Sequence, residues 1–364
     1  MNNQCVRNRV EGEYPKYAYN FLPFTLKCVY DDLKYGMLML KEEIQLDYPK
    51  VYYDDILKVV RYIEYDSPEI FWLYSYMVYS NPQSNVVTKV SFKHSISKAT
   101  LARRQRKIEK SMKEFLKSVD ASMSDYEVVK QVYQNIIALV DYDSVGLEKS
   151  EKKNSRKEVH TLASIYGVLV KKKAICAGYA KATQYILNRL GIECAYVVGD
   201  TDRGSHAFNL LKLEGDYYYM DTTWGDASNT KKSKNREGID YDHFCVTTKE
   251  LTLTHKPDSD PPMPVCVAKK CNYHVREGLL FDDVSIDKVE SVIKSRLERG
   301  EFYVSLKFAN DALYASARKL LVDQGGVHKI VDSVNLARKK LETTYQYIEK
   351  KGLRILELFF KPVK

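Results

Sequence analysis

Apolar positions first recur at helical spacing over about Pro23–Ile44, where Leu26, Val29, Leu33, Met37, Leu40 and Ile44 share one face. The spacing predicts a helix there and a second over Tyr52–Tyr62, before Pro68 punctuates the chain. Ile70–Ser80 is rich in aromatics and fits either helix or strand, whereas Asn85–Phe92 alternates like a strand. Thr100–Ser118 reads as a basic amphipathic helix with Leu101, Ile108, Met112, Phe115 and Leu116 on its apolar side. Ser124 and Glu127 carry the spacing of a capping box. They predict a helix over Asp125–Val140 with Val128, Val132, Ile136 and Val140 on one face. The Lys/Glu/Ser-rich stretch Ser144–Glu158 reads as a mobile loop, and Thr161–Val170 as a short helix.

The best-marked stretch runs from Ala174 to Asp226. Tyr179, Ala182, Ile186 and Leu190 line one helix face and Gly191 supplies a left-handed stop, so a helix begins near Cys176. Two strands follow, HAFNLLKL and YYYMD, joined at Leu213-Glu214-Gly215-Asp216. A two-residue Glu-Gly loop makes a hairpin pairing Leu213 with Asp216, hence Phe208 with Asp221. A three-residue loop without a bulge would put His206 and Asp221 on opposite faces.

Beyond Asp226 lies a polar loop, then a short strand expected at His243–Thr247. Thr254–Pro264 holds four prolines and reads as irregular. From Phe281 onward the pattern is a small α+β unit. It has a helix Ile286–Leu297, a strand Phe302–Phe308, helical segments over Asp311–Leu341, and strands Thr344–Glu349 and Leu353–Phe360. The reading divides the chain into a mainly helical region 1–120, a core 121–250, an irregular connector 251–280 and a C-terminal unit 281–364.

Composition adjusts this picture modestly. The chain has 364 residues, 45% of them hydrophobic, enough for a sizeable core and against wholesale disorder. Aromatics are mostly tyrosine, 29 against 12 Phe and 2 Trp, which suits half-buried faces. The net charge of +9 raises nucleic-acid binding, but the basic residues are spread out and no nucleic-acid motif accompanies them. Seven cysteines without a dense framework favour reduced thiols and a cytoplasmic setting. The N-terminus lacks the apolar core of a signal peptide; removal of a leader would instead imply a secreted or surface protein. No apolar run is long enough for a membrane span. No P-loop, dinucleotide fingerprint or calcium loop is present, and Cys266, Cys271 and His274 do not match structural zinc spacing, so neither metal nor cofactor is expected. Nothing in the sequence specifies an oligomeric state.

Candidate chemistry concentrates on Cys176, His206 and Asp221. A cysteine at a helix N-terminus meets unpaired N–H groups and the positive end of the helix dipole, both of which favour a nucleophilic thiolate. Small neighbours Ala177 and Gly178 leave room for a substrate. His206 opens a strand beside a turn, where a general base fits, and is diagonal to Asp221 in the predicted register, within roughly 7–8 Å. Taken singly, each has a plain structural explanation: a buried thiol, a core histidine, a strand-end cap. Cys194, inside an apolar strand, reads as core. Tyr179, Tyr218 and Trp224 are candidates for shielding or substrate contact.

The run CAGYAKA, then HAFN, then YYMDTTWGD resembles the transglutaminase-like superfamily, closely over about Thr161–Asp226 and more loosely over Asp125–Thr248. The resemblance implies an α+β, papain-like core: a helix bearing the Cys packed on an antiparallel sheet bearing His and Asp. It implies that Cys176, His206 and Asp221 form a catalytic triad. Phe208 stands where the family often has Trp, and an oxyanion-hole side chain is not evident, with His160 and Ser164 as candidates. The implied function is a thiol hydrolase or acyltransferase acting on peptide or amide carbonyls of a protein or peptide substrate. The generic character of the resemblance favours hydrolysis over crosslinking. The alternative is a non-catalytic binding or scaffold protein that keeps the fold.

Overall fold

The computed structural model describes residues 15–144, 156–226, 239–283, 285–338 and 341–363. The expected loop over Ser144–Glu158 and the polar loop after Asp226 lie largely outside them. The chain divides into two compact units, Met1–His243 with Thr254–Val267, and Phe244–Leu253 with Ala268–Lys364.

In the first unit, helix α1 (Phe24–Leu38) buries Leu26, Val29, Leu33 and Met37, as the spacing predicts. It stops earlier than expected. Leu40 takes a positive φ of 51°, which turns the chain, and Ile44 belongs to strand β1 (Glu43–Gln45), where it pairs with Val90. Helix α2 (Tyr53–Asp66) starts on a capping box in which the Tyr52 N–H donates to Asp55. The ambiguous aromatic segment is strand β2 (Leu73–Ser80), paired antiparallel with β3 (Val87–His94). The region expected to be mainly helical therefore also holds a three-stranded sheet, order β1-β3-β2. Helix α3 (Lys98–Phe115) buries Leu101, Ile108 and Met112. Helix α4 (Asp125–Leu139) carries the Ser124–Glu127 capping box.

Next come the two-residue parallel strands β4 (Asp141–Tyr142) and β5 (Lys173–Ala174), on either side of helix α5 (Arg156–Leu162). Strand β5 delivers the chain to helix α6 (Cys176–Arg189), which Gly191 closes at φ 82°. Strands β6 (Cys194–Thr201), β7 (Gly204–Leu213) and β8 (Asp216–Met220) follow, then the short helix α7 (Thr222–Gly225). Leu213 pairs with Asp216 across a loop with positive φ at Glu214 (51°) and Gly215 (91°), so the hairpin has the expected register.

Two expectations downstream need correction. His243–Thr247 forms turns leading into helix α8 (Thr248–Leu251), not a strand. The proline-rich Thr254–Pro264 contains strand β9 (His255–Pro257), which completes the antiparallel sheet β8-β7-β6-β9. Proline is tolerated there because β9 is an edge strand whose partner lies on one side only. Gly199 of β6 is required opposite it, since a Cβ would overlap the Lys256 carbonyl.

The second unit continues with helix α9 (Tyr273–Arg276) and strand β10 (Leu280–Phe281). It then has helix α10 (Ile286–Glu298), strand β11 (Tyr303–Phe308), helices α11 (Asp311–Arg318) and α12 (Gly326–Arg338), and strands β12 (Leu341–Lys350) and β13 (Ile355–Pro362). Its sheet, order β10-β11-β13-β12, is a mixed one in which only β10 and β11 run parallel. Ile293, Leu306, Val331 and Leu358 are fully buried in it.

Candidate active site

Cys176 is the first residue of α6 and is half-buried. The residue in the capping position is Ile175, whose side chain cannot accept a hydrogen bond. A Ser or Asp there would occupy a first-turn N–H group; here the Gly178 N–H turns back to the Ile175 carbonyl at 2.8 Å, and the N–H groups of Cys176 and Ala177 have no side-chain cap. Helix α6 is tied down on several sides. Asn209 of the HAFN run donates to the carbonyls of Ala180 (2.9 Å) and Ala195 (3.2 Å), joining helix to sheet. Gln184 donates to the Tyr65 carbonyl at 2.7 Å, and Thr183 meets Thr222 at 3.0 Å. Gly178 also packs tightly: a Cβ there would overlap the Leu162 carbonyl, so glycine is what lets α6 reach that backbone.

His206 lies on β7 and Asp221 follows β8. They share the face set by the hairpin, and His206 Nε2–H donates to Asp221 Oδ2 at 2.8 Å. The other carboxylate oxygen accepts from the N–H groups of Thr223 (2.8 Å) and Trp224 (3.1 Å), so Asp221 caps α7 as well. The Tyr133 hydroxyl donates to the Asp221 carbonyl at 3.3 Å. With Nε2 committed to Asp221, Nδ1 is the ring atom left for Cys176.

The electrostatics follow this geometry. Burial alone would lower the His206 pKa, but the charge and hydrogen bond of Asp221, then those of Cys176, outweigh it and push it up to about 10. Burial would raise the Asp221 carboxyl; the charge and hydrogen bond of His206, reinforced by His255, instead hold it well below the usual carboxylate range. The Cys194 thiol is pushed up by burial, consistent with a core residue.

Of the three aromatic candidates, only Trp224 stands at the site. Its ring lies 5.9 Å from that of His206, with the Arg203 guanidinium 5.2 Å from its own centroid. Tyr179 is buried and its hydroxyl meets the Val140 carbonyl (2.9 Å) and Asp226 (2.8 Å), so it braces the core. Tyr218 pairs with Leu211, and the alternation of β7 puts that pair on the opposite face from His206. The oxyanion candidates also lie elsewhere. Ser164 Oγ is engaged with Thr161 O (2.7 Å) and Gly167 N–H (3.2 Å). His160 rests against Tyr74, and both residues line a separate cavity of about 280 Å³ whose walls do not include Cys176.

Three residues escape the sequence reading. Burial and then the charges of Cys176 and Asp221 raise the Tyr142 hydroxyl, and burial, Glu64 and Cys176 raise Tyr196, which marks both as neighbours of the thiol. His255 is the third: its Nε2–H donates to Asp221 Oδ2 at 3.2 Å. A lone histidine among prolines gave no signal, because its pairing on β6 depends on a distant segment. His206, Asp221 and His255 are close enough to share a metal ion. Their facing atoms are already joined by hydrogen bonds.

A cysteine opening a helix that packs on an antiparallel sheet, beside a histidine–aspartate pair from that sheet, is the α+β arrangement that the sequence resemblance implies. Residues 105–225 match the family model for the transglutaminase-like domain. A solved TGase structure aligns at 15% identity over 46% of this chain and 48% of its own, with a TM-score of 0.31. The chain thus spans about half the length of that protein. A candidate cysteine protease from Cytophaga hutchinsonii aligns at 13% identity, covering 41% of this chain and 62% of its own, with a TM-score of 0.25. A candidate protease from Parabacteroides distasonis also aligns at 13% identity, over 40% of this chain and 36% of its own, with a TM-score of 0.24. No curated protein matches significantly. Among the described residues, no helix is long and apolar enough to cross a membrane.

Proposed function

We propose that this chain is a transglutaminase-like thiol enzyme that attacks peptide or amide carbonyls through Cys176, His206 and Asp221. The observation that carries this reading is the 2.8 Å His206–Asp221 bond beside a cysteine at an uncapped helix start. The Cys176 proton already rests on His206 Nδ1, and the thiolate sulfur bonds to the carbonyl carbon. The developing oxyanion faces the first N–H groups of α6. Collapse breaks the C–N bond, and the departing amine takes the proton from His206. A thioester on Cys176 remains. Water or a second amine then attacks it, giving up a proton to His206, and the thiolate–imidazolium pair is restored. Asp221 orients the ring and stabilises its cationic form. Water as acceptor makes the enzyme a hydrolase of protein or peptide substrates; an amine makes it an acyltransferase.

The rival reading is a non-catalytic binding protein that keeps the fold. The positions of Ser164 and His160 favour it, since neither supplies an oxyanion side chain. p-Nitrophenyl acetate separates the two, because its leaving group needs no protonation. The enzyme reading expects a burst of p-nitrophenol with acetyl on Cys176, absent in Cys176→Ser, and turnover that an added primary amine diverts or leaves alone. No acetyl on Cys176 would sink it.

A further inference from the structure

His206 and His255 both donate to the same carboxylate oxygen of Asp221, at 2.8 and 3.2 Å. Orienting one base does not require a second imidazole. The His255 side chain is fully buried on β9. Its Nδ1 lies 2.7 Å from Thr254 Oγ1, and that hydroxyl lies 3.0 Å from His243 Nε2.

The donor and acceptor inventory places one proton. An ionised carboxylate only accepts, so His255 Nε2 carries a hydrogen. Its Nδ1 and His243 Nε2 meet on the Thr254 hydroxyl, which fixes the plane of the ring.

We propose that His255 is a positioning residue of the thiol site: its imidazole, held in place by Thr254, donates from Nε2 to Asp221 and keeps that carboxylate ionised and in place after His206 has given up its proton. This role rests on the catalytic reading above. The proton that His206 Nδ1 holds from the thiol leaves with the amine. His206 is now neutral, and Asp221, 0% exposed, has lost its cation. A buried carboxylate in that position draws a proton, which would trap the base. His255 and the N–H groups of Thr223 and Trp224 are three donors that do not depend on the charge of His206. No bond to His255 forms or breaks. The other titratable groups facing the pair are Cys176, Tyr142 and Tyr133, with His243 at the far end of the Thr254 bridge and Arg203 over Trp224.

The test is the titration of the His206 ring by NMR in the full chain. A Cys176→Ala background removes the influence of the thiol. His255→Phe leaves Asp221 with one donor fewer and more attraction for the imidazolium. His206 then titrates about one pH unit higher, a roughly tenfold stronger hold on its proton. His255→Gln offers a neutral N–H and returns the titration close to its parent value. Thr254→Val moves it in the same direction by less, and keeps the question answerable if His255→Phe does not fold. No shift in either variant, a downward shift, or a glutamine that restores nothing overturns the role. The titration needs no turnover, so an unreactive Cys176 would defeat the proposed function while leaving the His255 result readable.

Discussion

Asp221 carries the heaviest load of any single side chain at the site. It has no solvent exposure, yet one oxygen serves two imidazoles and the other caps a helix. Asp221→Asn keeps the shape and removes the charge that holds the His206 proton. On the proposed mechanism, losing the orienting carboxylate costs about 100-fold or more in rate, which the p-nitrophenyl acetate assay reads directly. The pair also makes stability depend on pH. His206 is raised above its ordinary 6.5, so its contribution is complete below that value and is lost as pH rises through about 10. Asp221 is depressed, so its contribution is present above about pH 4 and lost as pH falls through its folded value. The difference in denaturation midpoint between wild type and His206→Gln is therefore expected to be largest between about pH 4 and 6.5 and to shrink toward pH 10.

Among the elements, helix α6 and the β7–β8 hairpin were legible because their signals are local. Regular apolar spacing, a glycine stop and a Glu-Gly turn are readable without knowing the rest of the fold. Strand β9 was not, because its pairing with β6 is set from outside the segment and its prolines read as breakers. The same holds for β1, where helical spacing up to Ile44 was cut by a turn at Leu40. The glycine in CAGYA was legible as small, but only the packing reveals its neighbour. Gly178→Ala pushes a Cβ into the Leu162 carbonyl, at a cost of about 1–3 kcal/mol. Urea denaturation checks the loss, and slower labelling of Cys176 in the folded protein would show that the helix start has moved.

Across the whole chain, the sequence conveyed the C-terminal α+β pattern well and the N-terminal sheet poorly. Alternation in β11 is clear and β13 is a short apolar run, whereas the tyrosine-rich β2 suits helix and strand alike. The two units have separate cores, and this sets an expectation for mutations far from the site. Leu358, fully buried on β13, is expected to lose about 2–5 kcal/mol when cut to alanine. Thermal denaturation should place that loss in the C-terminal unit. Cys176 labelling should be unchanged at temperatures where both units remain folded. The charge of +9 is spread along the chain, so any nucleic-acid affinity should be weak and should fade steeply with added salt.

The proposed function rests on Cys176 being an activated nucleophile paired with His206. Iodoacetamide alkylation of Cys176, followed residue by residue by mass spectrometry at about pH 6, tests it most directly, because an ordinary thiol is almost wholly protonated there. Cys176 is expected to react at least about tenfold faster than a model thiol, with Cys194 unmodified and the advantage abolished in His206→Ala. A Cys176 rate equal to that of the model thiol, or one that His206→Ala leaves unchanged, would contradict it.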